Sequence, residues 1–212
     1  RHFLGLVALT CLPACEQARP TDHFRASGET IAFGGADAGP DGACFSCHGL
    51  YGEGDGRLSP RLAGLNAGYL HRQLDDYATG RREHVAMRAI VRRLDGEDRA
   101  KVAAYYAGLS PVGTASDGGS PLGAQVYARS CASCHGAVGQ GDGSGNPALS
   151  GQSAAYVEAQ LIAWRTGKRY NDPLGEMREI SRRLSPREVS AVAAHVAALP
   201  AAHPRSTRAA SP

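Results

Sequence analysis

The chain has few of the large apolar side chains that normally fill a protein core. Its 212 residues include 6% aromatics, with four Phe and a single tryptophan, Trp164, and only two Met. The 27 Gly and 12 Pro stay below the share that argues for a disordered or collagen-like chain. This length predicts one large domain or two small ones. Two small domains of this composition would have thin cores, so we expect something besides side chains to fill them.

Runs of Lys and Arg are absent, as is any basic patch interleaved with aromatic residues. With a formal charge of only +3, this composition excludes a nucleic-acid-binding protein of the strongly basic kind. The charge is nevertheless uneven. Residues 28–110 carry 10 basic and 11 acidic groups, whereas residues 121–212 carry 10 basic and 6 acidic groups. Either this is ordinary surface variation, or the two halves face different partners.

The apolar run at 3–14 is about 12 residues long, which is too short to span a bilayer as a helix. An arginine and a histidine precede it, and this arrangement is typical of a secretory signal. We therefore expect a signal peptide at 1–18 and a polar tether at 19–30. A buried N-terminal helix is the alternative, but the polar, Gly-rich stretch at 16–38 disfavours it.

The segment 12–15 reads Leu-Pro-Ala-Cys and resembles a bacterial lipoprotein signal, which makes Cys15 a candidate for lipidation. Cleavage by an ordinary signal peptidase after Ala14 or Ala18 is the alternative. Both interpretations place the chain in the periplasm, soluble or anchored by a lipid, where the compartment is oxidising.

Internal repetition is the strongest pattern in the sequence. The motif Cys-x-x-Cys-His-Gly at 44–49 recurs at 131–136, 87 residues later, and the following Gly-Asp-Gly, proline, tyrosine, Gln-Leu and arginine positions keep that offset. Three residues are then gained, and the two methionines and the final helical segment align at an offset of 90. The chain therefore predicts two domains, 31–110 and 121–200, with a linker at 111–120 and a tail at 201–212.

Both halves are predicted to be helical, because no segment alternates apolar and polar residues as a strand would. Asn66 and Gly80 bound one predicted helix, and Ser153 and Gly167 bound its counterpart. Further helices are expected at 121–133 and from a capping box at Ser185. Long Gly-rich loops without secondary structure are predicted at 49–64 and 136–151, and such loops in a compact domain usually wrap something. The fold class is therefore all-α.

Cys-x-x-Cys followed directly by His is the attachment signature of c-type haem. Two thiols three residues apart reach the two vinyl groups on one porphyrin edge, and the adjacent histidine lies beneath the ring to ligate the iron. A zinc site would bring two such motifs closer together in sequence, and a redox dithiol needs a βαβ setting that is missing here. We predict two haem c groups, held by Cys44 and Cys47 with His48, and by Cys131 and Cys134 with His135.

The two methionines fall in register with the repeat. Met87 lies 39 residues after His48, and Met177 lies 42 residues after His135. A methionine in each repeat is best interpreted as the second axial ligand, which is the cytochrome arrangement that raises the reduction potential. His84, three residues before Met87, is an alternative ligand in the first repeat only.

Other repeated residues are candidates to surround each haem. A ligating histidine usually donates its other N–H to a fixed acceptor, and Pro60 and Pro147 each follow their histidine by 12 residues. Tyr69 and Tyr156 either pack on the ring or reach a propionate, or are plain core aromatics. The basic pairs at 81–82 and 168–169 are expected to balance propionate charge, to form a docking surface, or simply to be solvated.

Taken together, the motifs resemble the dihaem cytochrome c4 family, in which each half is a small class I cytochrome c domain. The resemblance covers about 44–200 and implies the cofactors and axial ligands given above. It also implies a periplasmic electron carrier that delivers electrons from a quinol–cytochrome c reductase or a dehydrogenase to a terminal oxidase or another periplasmic acceptor. One departure is the loop-like sequence at 33–42, where the family has a helix before the first cysteine.

The expected function is single-electron transfer between redox proteins, with no substrate site. A dihaem oxidoreductase enzyme is the alternative, and it requires a haem iron with an open or exchangeable position. A haem subunit fixed to a membrane dehydrogenase or oxidase is a third possibility, which shares the chemistry and differs only in its partners.

Overall fold

The computed structural model describes residues 26–111, 119–143 and 145–201. The predicted signal peptide with Cys15, most of the linker and residues 202–212 of the tail lie outside this range. Within it, no helix combines the length and the apolar character needed to cross a membrane. The ten described helices are α1 Gly28–Gly34, α2 Phe45–His48, α3 Ala67–Thr79, α4 Val85–Val91, α5 Gly96–Gly108, α6 Pro121–Ser130, α7 Ala132–His135, α8 Ala154–Thr166, α9 Glu176–Arg183 and α10 Pro186–Ala198. The all-α expectation is confirmed, since one isolated β-bridge is the extent of strand pairing in the described residues.

The helix boundaries follow the capping signals in the sequence. The side chain of Asn66 accepts the Tyr69 N–H at 3.0 Å to begin α3, and Gly80 ends that helix in the left-handed conformation. Ser153 and Gly167 do the same for α8. At α10 the capping box of Ser185 and Glu188 is complete in both directions. Helices α3 and α8 therefore begin and end where the sequence predicts, and α10 begins where it predicts.

The N-terminal edge of the first domain differs from expectation. Helix α1 begins at Gly28, inside the segment expected to be a tether, because Ser27 caps it and Ile31 is fully buried. Two 3₁₀ turns, Ala36–Ala38 and Pro40–Gly42, occupy most of the stretch expected to be a loop. Few apolar residues mark this helix, so its stability comes from packing on the rest of the domain rather than from propensity.

Each domain packs its N-terminal helix across its C-terminal helix at a glycine. In the first domain, a Cβ built on Gly28 would lie 2.2 Å from the Lys101 carbonyl oxygen of α5. In the second, a Cβ on Gly123 would lie 2.3 Å from the Ala191 carbonyl oxygen of α10. Only a residue without a side chain permits this approach, so the two crossings are built alike although α1 and α6 differ in length.

The two domains meet through equivalent residues of the repeat. Arg82 and Arg169 form an antiparallel bridge, and Glu83 N–H donates to the Lys168 carbonyl at 2.9 Å while Tyr170 N–H donates to the Arg81 carbonyl at 3.0 Å. The segments that precede the two methionines therefore lie side by side. This arrangement relates the domains approximately by a two-fold axis.

A second set of contacts breaks this symmetry. Arg61 is 2% exposed and donates to the Ser150 carbonyl of the other domain at 2.8 Å. The Gln152 side chain accepts the Arg61 N–H at 3.1 Å and donates to the Arg61 carbonyl at 2.7 Å. The repeat places Leu65 opposite Gln152 and Ala148 opposite Arg61, so only one copy of this clamp exists.

We expect Gly123→Ala to destabilise the second domain, because the new methyl group would overlap a backbone carbonyl that cannot rotate away. Overpacking of this kind costs about 1–3 kcal/mol. Chemical denaturation of the haem-loaded protein, followed by far-ultraviolet circular dichroism, measures the effect. Gly96→Ala is the control, since a Cβ there meets nothing within 4 Å; equal midpoints for the two variants would contradict the prediction.

We expect Gln152→Leu to weaken the attachment of the domains, although leucine is the residue that the other repeat carries. The change leaves the buried N–H and C=O of Arg61 without their side-chain partner, at roughly 1–3 kcal/mol for each unsatisfied group. Urea denaturation should show a lower midpoint. The exposed Gln125→Leu on α6 is the control and should change the midpoint little; an unchanged midpoint for Gln152→Leu would show that the clamp is dispensable.

Candidate haem sites

Each Cys-x-x-Cys-His motif forms a single helical turn. His48 N–H donates to the Cys44 carbonyl at 2.9 Å, and His135 N–H donates to the Cys131 carbonyl at 2.9 Å. One turn brings the two cysteines of each motif to the same side of the helix, with the histidine next to them. The chain then leaves through Gly49 and Gly136, both with φ above +80°, a region that other residues rarely adopt.

The Gly-rich loop after each motif folds back onto the histidine. Gly54 N–H donates to the His48 carbonyl at 2.8 Å, and the Asp55 carboxylate accepts the Arg57 N–H at 2.7 Å and the Ser59 N–H at 2.9 Å. In the second repeat, Gly141 N–H reaches the His135 carbonyl at the same distance. These turns deliver the proline that follows to the histidine ring.

Both histidine rings contact the carbonyl predicted from the sequence. The distance from Nδ1 to the proline carbonyl oxygen is 2.9 Å for His48 with Pro60 and also for His135 with Pro147. A carbonyl only accepts, so each Nδ1 carries the proton and each Nε2 keeps its lone pair. Burial lowers the pKa of both imidazoles, which keeps them neutral near pH 7, the form that binds a metal.

Each domain encloses a cavity beside its motif. The first has a volume of about 200 Å³, and its lining includes Cys44, Cys47, His48, Pro60 and Met87. The second, of about 410 Å³, is lined by the equivalent residues except Cys134. Cys134 is exposed, as is Cys47. The structure therefore brings the predicted cysteine, histidine and methionine together in each domain.

The zinc and dithiol alternatives find no support in this arrangement. Among the described residues, no three His, Cys, Asp or Glu side chains cluster as a metal site would require. Burial raises the pKa of the Cys44 and Cys131 thiols to about 11, whereas a reactive dithiol needs a lowered pKa.

The methionines lie on α4 and α9, and each lines the cavity of its own domain. His84, the alternative ligand, also lines the first cavity, but its Nδ1 accepts the Met87 N–H at 3.2 Å and thereby caps α4. This helix-capping contact gives His84 a structural role of its own. The choice of Met87 and Met177 as axial ligands stays a prediction from the sequence.

Tyr69 and Tyr156 lie between the two cavities and line both. Arg82 donates to the Tyr156 hydroxyl at 2.6 Å, and Arg169 donates to the Tyr69 hydroxyl at 3.4 Å. Each tyrosine therefore holds the arginine of the opposite repeat. This polar role at the domain boundary was not among the alternatives given for these tyrosines, and a role beside the haem stays a prediction.

The two basic pairs divide between interior and surface. Arg82 and Arg169 are 4% and 3% exposed, and both donate to the side-chain carbonyls of Gln73 and Gln160 at 2.7–3.1 Å. Neither guanidinium donates to a carboxylate among the described residues. Buried cations without a carboxylate favour an anionic group nearby.

A buried donor in the second cavity also points to an acidic ligand group. Trp164 Nε1 is buried, lines this cavity and has no acceptor among the described residues. The guanidinium carbon of Arg169 lies 3.8 Å from its ring centroid. The repeat places Tyr77 opposite Trp164, and burial raises the pKa of Tyr77 to about 12, so its phenol remains a donor. The residues present fit haem, which is large and apolar and carries two carboxylates.

Several of these residues received no role from the sequence. Gln73, Gln160 and Asp55 occupy positions that are repeated in the two halves, and this repetition is the sequence signal that could have identified them. The sequence marks Trp164 only as the single tryptophan of the chain. Arg61 and Gln152 differ between the repeats, so only the three-dimensional contact between the domains reveals them.

Comparisons with known proteins agree with this site. The family model for cytochrome c matches residues 35–110 and 120–200. The thiosulfate dehydrogenase electron acceptor of Stutzerimonas stutzeri is 40% identical over 168 residues, 73% of this chain and 78% of that protein. Cytochrome c4 of Pseudomonas aeruginosa is 32% identical over 186 residues, covering 82% and 92%.

A solved structure shows the same arrangement. Thiosulfate dehydrogenase (TsdBA) from Marichromatium purpuratum, as isolated, superposes with a TM-score of 0.72 at 35% identity over 82% of this chain. This chain spans only 40% of that chain. Two tandem cytochrome c domains imply two covalently bound haem c groups, one for each domain.

We expect Met87→Ala and Met177→Ala each to remove about half of the thioether–iron charge-transfer absorption of the oxidised protein, because each would strip one of two haems of its sulfur ligand. Visible and near-infrared spectra measure this band. His84→Asn, which introduces the residue found at the equivalent position 171, is the control and should keep the whole band. If His84 were the ligand instead, the unaltered protein would show the band of one haem only, and Met87→Ala would leave that band unchanged.

Proposed function

Because the chain belongs to the cytochrome c family, in the tandem dihaem form of cytochrome c4, we propose that it is the electron acceptor of a thiosulfate dehydrogenase. Membership of the family makes it a one-electron carrier between redox proteins. The observation that carries the more specific proposal is the 40% identity to such an acceptor, over most of both chains. The similarity to thiosulfate dehydrogenase (TsdBA) supports it independently.

The stoichiometry of the oxidation agrees with two redox centres in one chain. Joining two thiosulfate anions through a new S–S bond releases two electrons. The two haems, held at His48 and at His135, would supply two one-electron sites to receive them. The chain's own residues limit the structural rearrangement that would accompany a change of oxidation state. His48 and His135 are each held by a proline carbonyl at 2.9 Å, and buried side chains fix their rings, so little rearrangement accompanies the exchange.

The domain contacts suit transfer from one site to the other. Tyr69, Tyr156, Gln73 and Gln160 line both cavities, so a single layer of hydrogen-bonded side chains separates the two sites. The Arg61–Gln152 clamp holds that layer in one arrangement. An electron received in one domain is therefore close to the other site, from which a second protein collects it.

We further propose that the exchange takes place in the periplasm, with the chain soluble or anchored by a lipid at Cys15. The short apolar run at 3–14 and the segment at 12–15 support this location. The onward acceptor is then another periplasmic redox protein or a terminal oxidase.

We expect the oxidised protein to be reduced at both haems when it is mixed with a thiosulfate dehydrogenase and thiosulfate. Stopped-flow absorbance of the ferrous haem band measures the rate, and thiosulfate without enzyme, or with heat-inactivated enzyme, is the control. Reduction no faster than in these controls would contradict the proposal. Rapid binding of carbon monoxide by one haem of the reduced protein would instead favour the dihaem enzyme, because it requires an open position on iron.

A further inference from the structure

Helices α4 and α9 are the same element in the two repeats, yet their surfaces carry different charges. Aligned on Met87 and Met177, both have arginines at the first, fifth and sixth positions after the methionine. At the positions directly before and two after the methionine, α9 has Glu176 and Glu179, whereas α4 has alanines. The two helices therefore share their cations and differ in their carboxylates.

These differences lie on the surface. Ala86 and Ala89 on α4 are exposed, and so are Glu176 and Glu179 on α9. Val85, at the start of α4, is 89% exposed. The two alanines and the exposed valine form a small apolar surface. The side chains of Arg88 and Arg92, which are close by in the sequence, are exposed as well. We call Val85, Ala86, Arg88, Ala89 and Arg92 the α4 face.

The charge of the second helix is partly cancelled. Glu179 accepts a hydrogen bond from Arg183 Nε at 2.8 Å, and Glu176 adds a further negative charge. Segment 85–93 has three arginines and no carboxylate, whereas 175–183 has three arginines and two carboxylates. The nearest acidic residues along the chain are Glu83 and Asp95, which flank the α4 segment. The α4 face is therefore more cationic than its counterpart, although the first domain as a whole is the more acidic half.

The α4 face lies directly over the first haem cavity. Met87 and Ile90 line that cavity and are half-buried. Ala86 also lines it but is exposed, as are the other residues of the α4 face. A protein seated on this face is separated from the cavity by the thickness of one short helix. A donor bound there would lie close to the haem held in that cavity.

We propose that the α4 face is the surface on which the electron-donating thiosulfate dehydrogenase docks, through a carboxylate-rich rim around a small apolar centre. The proposal rests on the proposed function. An apolar centre with a polar rim is the usual anatomy of a protein interface, and complementary charge raises the rate of encounter. The glutamates of α9 would repel the same acidic rim, so electrons enter through the first domain and the second domain is left free for the onward acceptor.

The repeat supplies a matched pair of variants for the test. Arg92, the residue directly after α4, and Arg182 of α9 are each five residues after the methionine of their repeat, and both are exposed. Replacing either by glutamate therefore makes the same change of charge. We expect Arg92→Glu to lower the second-order rate constant for reduction by the dehydrogenase about tenfold at low ionic strength, and Arg182→Glu to lower it less than about twofold. The difference between the variants should shrink as salt is added.

A second pair tests the missing carboxylates. Ala89→Glu, which copies the second domain, should slow the reaction, and Glu179→Ala should not. Reduction by the small neutral reductant hydroquinone, together with the haem spectrum, shows that each variant is folded and loaded. Equal slowing by Arg92→Glu and Arg182→Glu, or slowing by the second alone, would overturn the docking surface while leaving the proposed function intact. A wild-type protein that the dehydrogenase does not reduce would instead overturn the proposed function.

Discussion

The contact between each haem-site histidine and a proline carbonyl 12 residues later determines the architecture of both domains. It fixes the imidazole by Nδ1 and leaves Nε2 for iron, so the ring cannot turn or change its protonated nitrogen without losing a buried hydrogen bond. To make the contact, the chain must leave the Cys-x-x-Cys-His turn, reverse and return. Glycines in the loop make this reversal possible, because a Cβ on Gly54 or Gly141 would lie 2.6 Å from a backbone oxygen of the returning segment. The scarcity of aromatic side chains agrees with this architecture, because a porphyrin held in each domain would be the largest apolar group of the core.

The two domains contact each other through repeated residues and through the unrepeated pair of Arg61 and Gln152. The symmetric contacts use one arginine, one tyrosine and one glutamine from each repeat, so they are compatible with a two-fold relation but place two guanidinium groups close together. Burial lowers the pKa of a third, Arg61, to about 10, which leaves it cationic at neutral pH. Among the described residues, three cations are buried but only one carboxylate, that of Asp76, which pairs with Arg81 at 2.7 Å. This balance is consistent with haem carboxylates as the compensating anions.

The sequence predicted the elements that depend on local signals, such as helix caps and short-range spacing. Capping residues placed the ends of α3, α8 and α10, and the equal spacing of histidine and proline predicted a contact that the structure contains. It did not reach α1, because a helix begun by Ser27 and held by two buried residues has no apolar stripe to read. Nor did it settle the basic pairs at 81–82 and 168–169. The two residues of each pair alternate between interior and surface, and which one faces inward depends on where the other domain lies. The identity of the residue at one position does not show where the other domain lies.

Charge shows why counting by domain is insufficient for a protein of this kind. Docking depends on the field within about a Debye length of the contact, roughly 8–10 Å near physiological salt, and this distance is shorter than a domain. The first half is the more acidic by composition, but several of its carboxylates interact away from α4. Asp55 accepts a hydrogen bond within the loop that follows His48. Asp76 pairs with Arg81, and Asp75 pairs with Arg99. What remains over the methionine is a cationic helix. If the α4 face is the docking surface, then two substitutions on a surface helix are enough to give the two repeats of this electron carrier different partners.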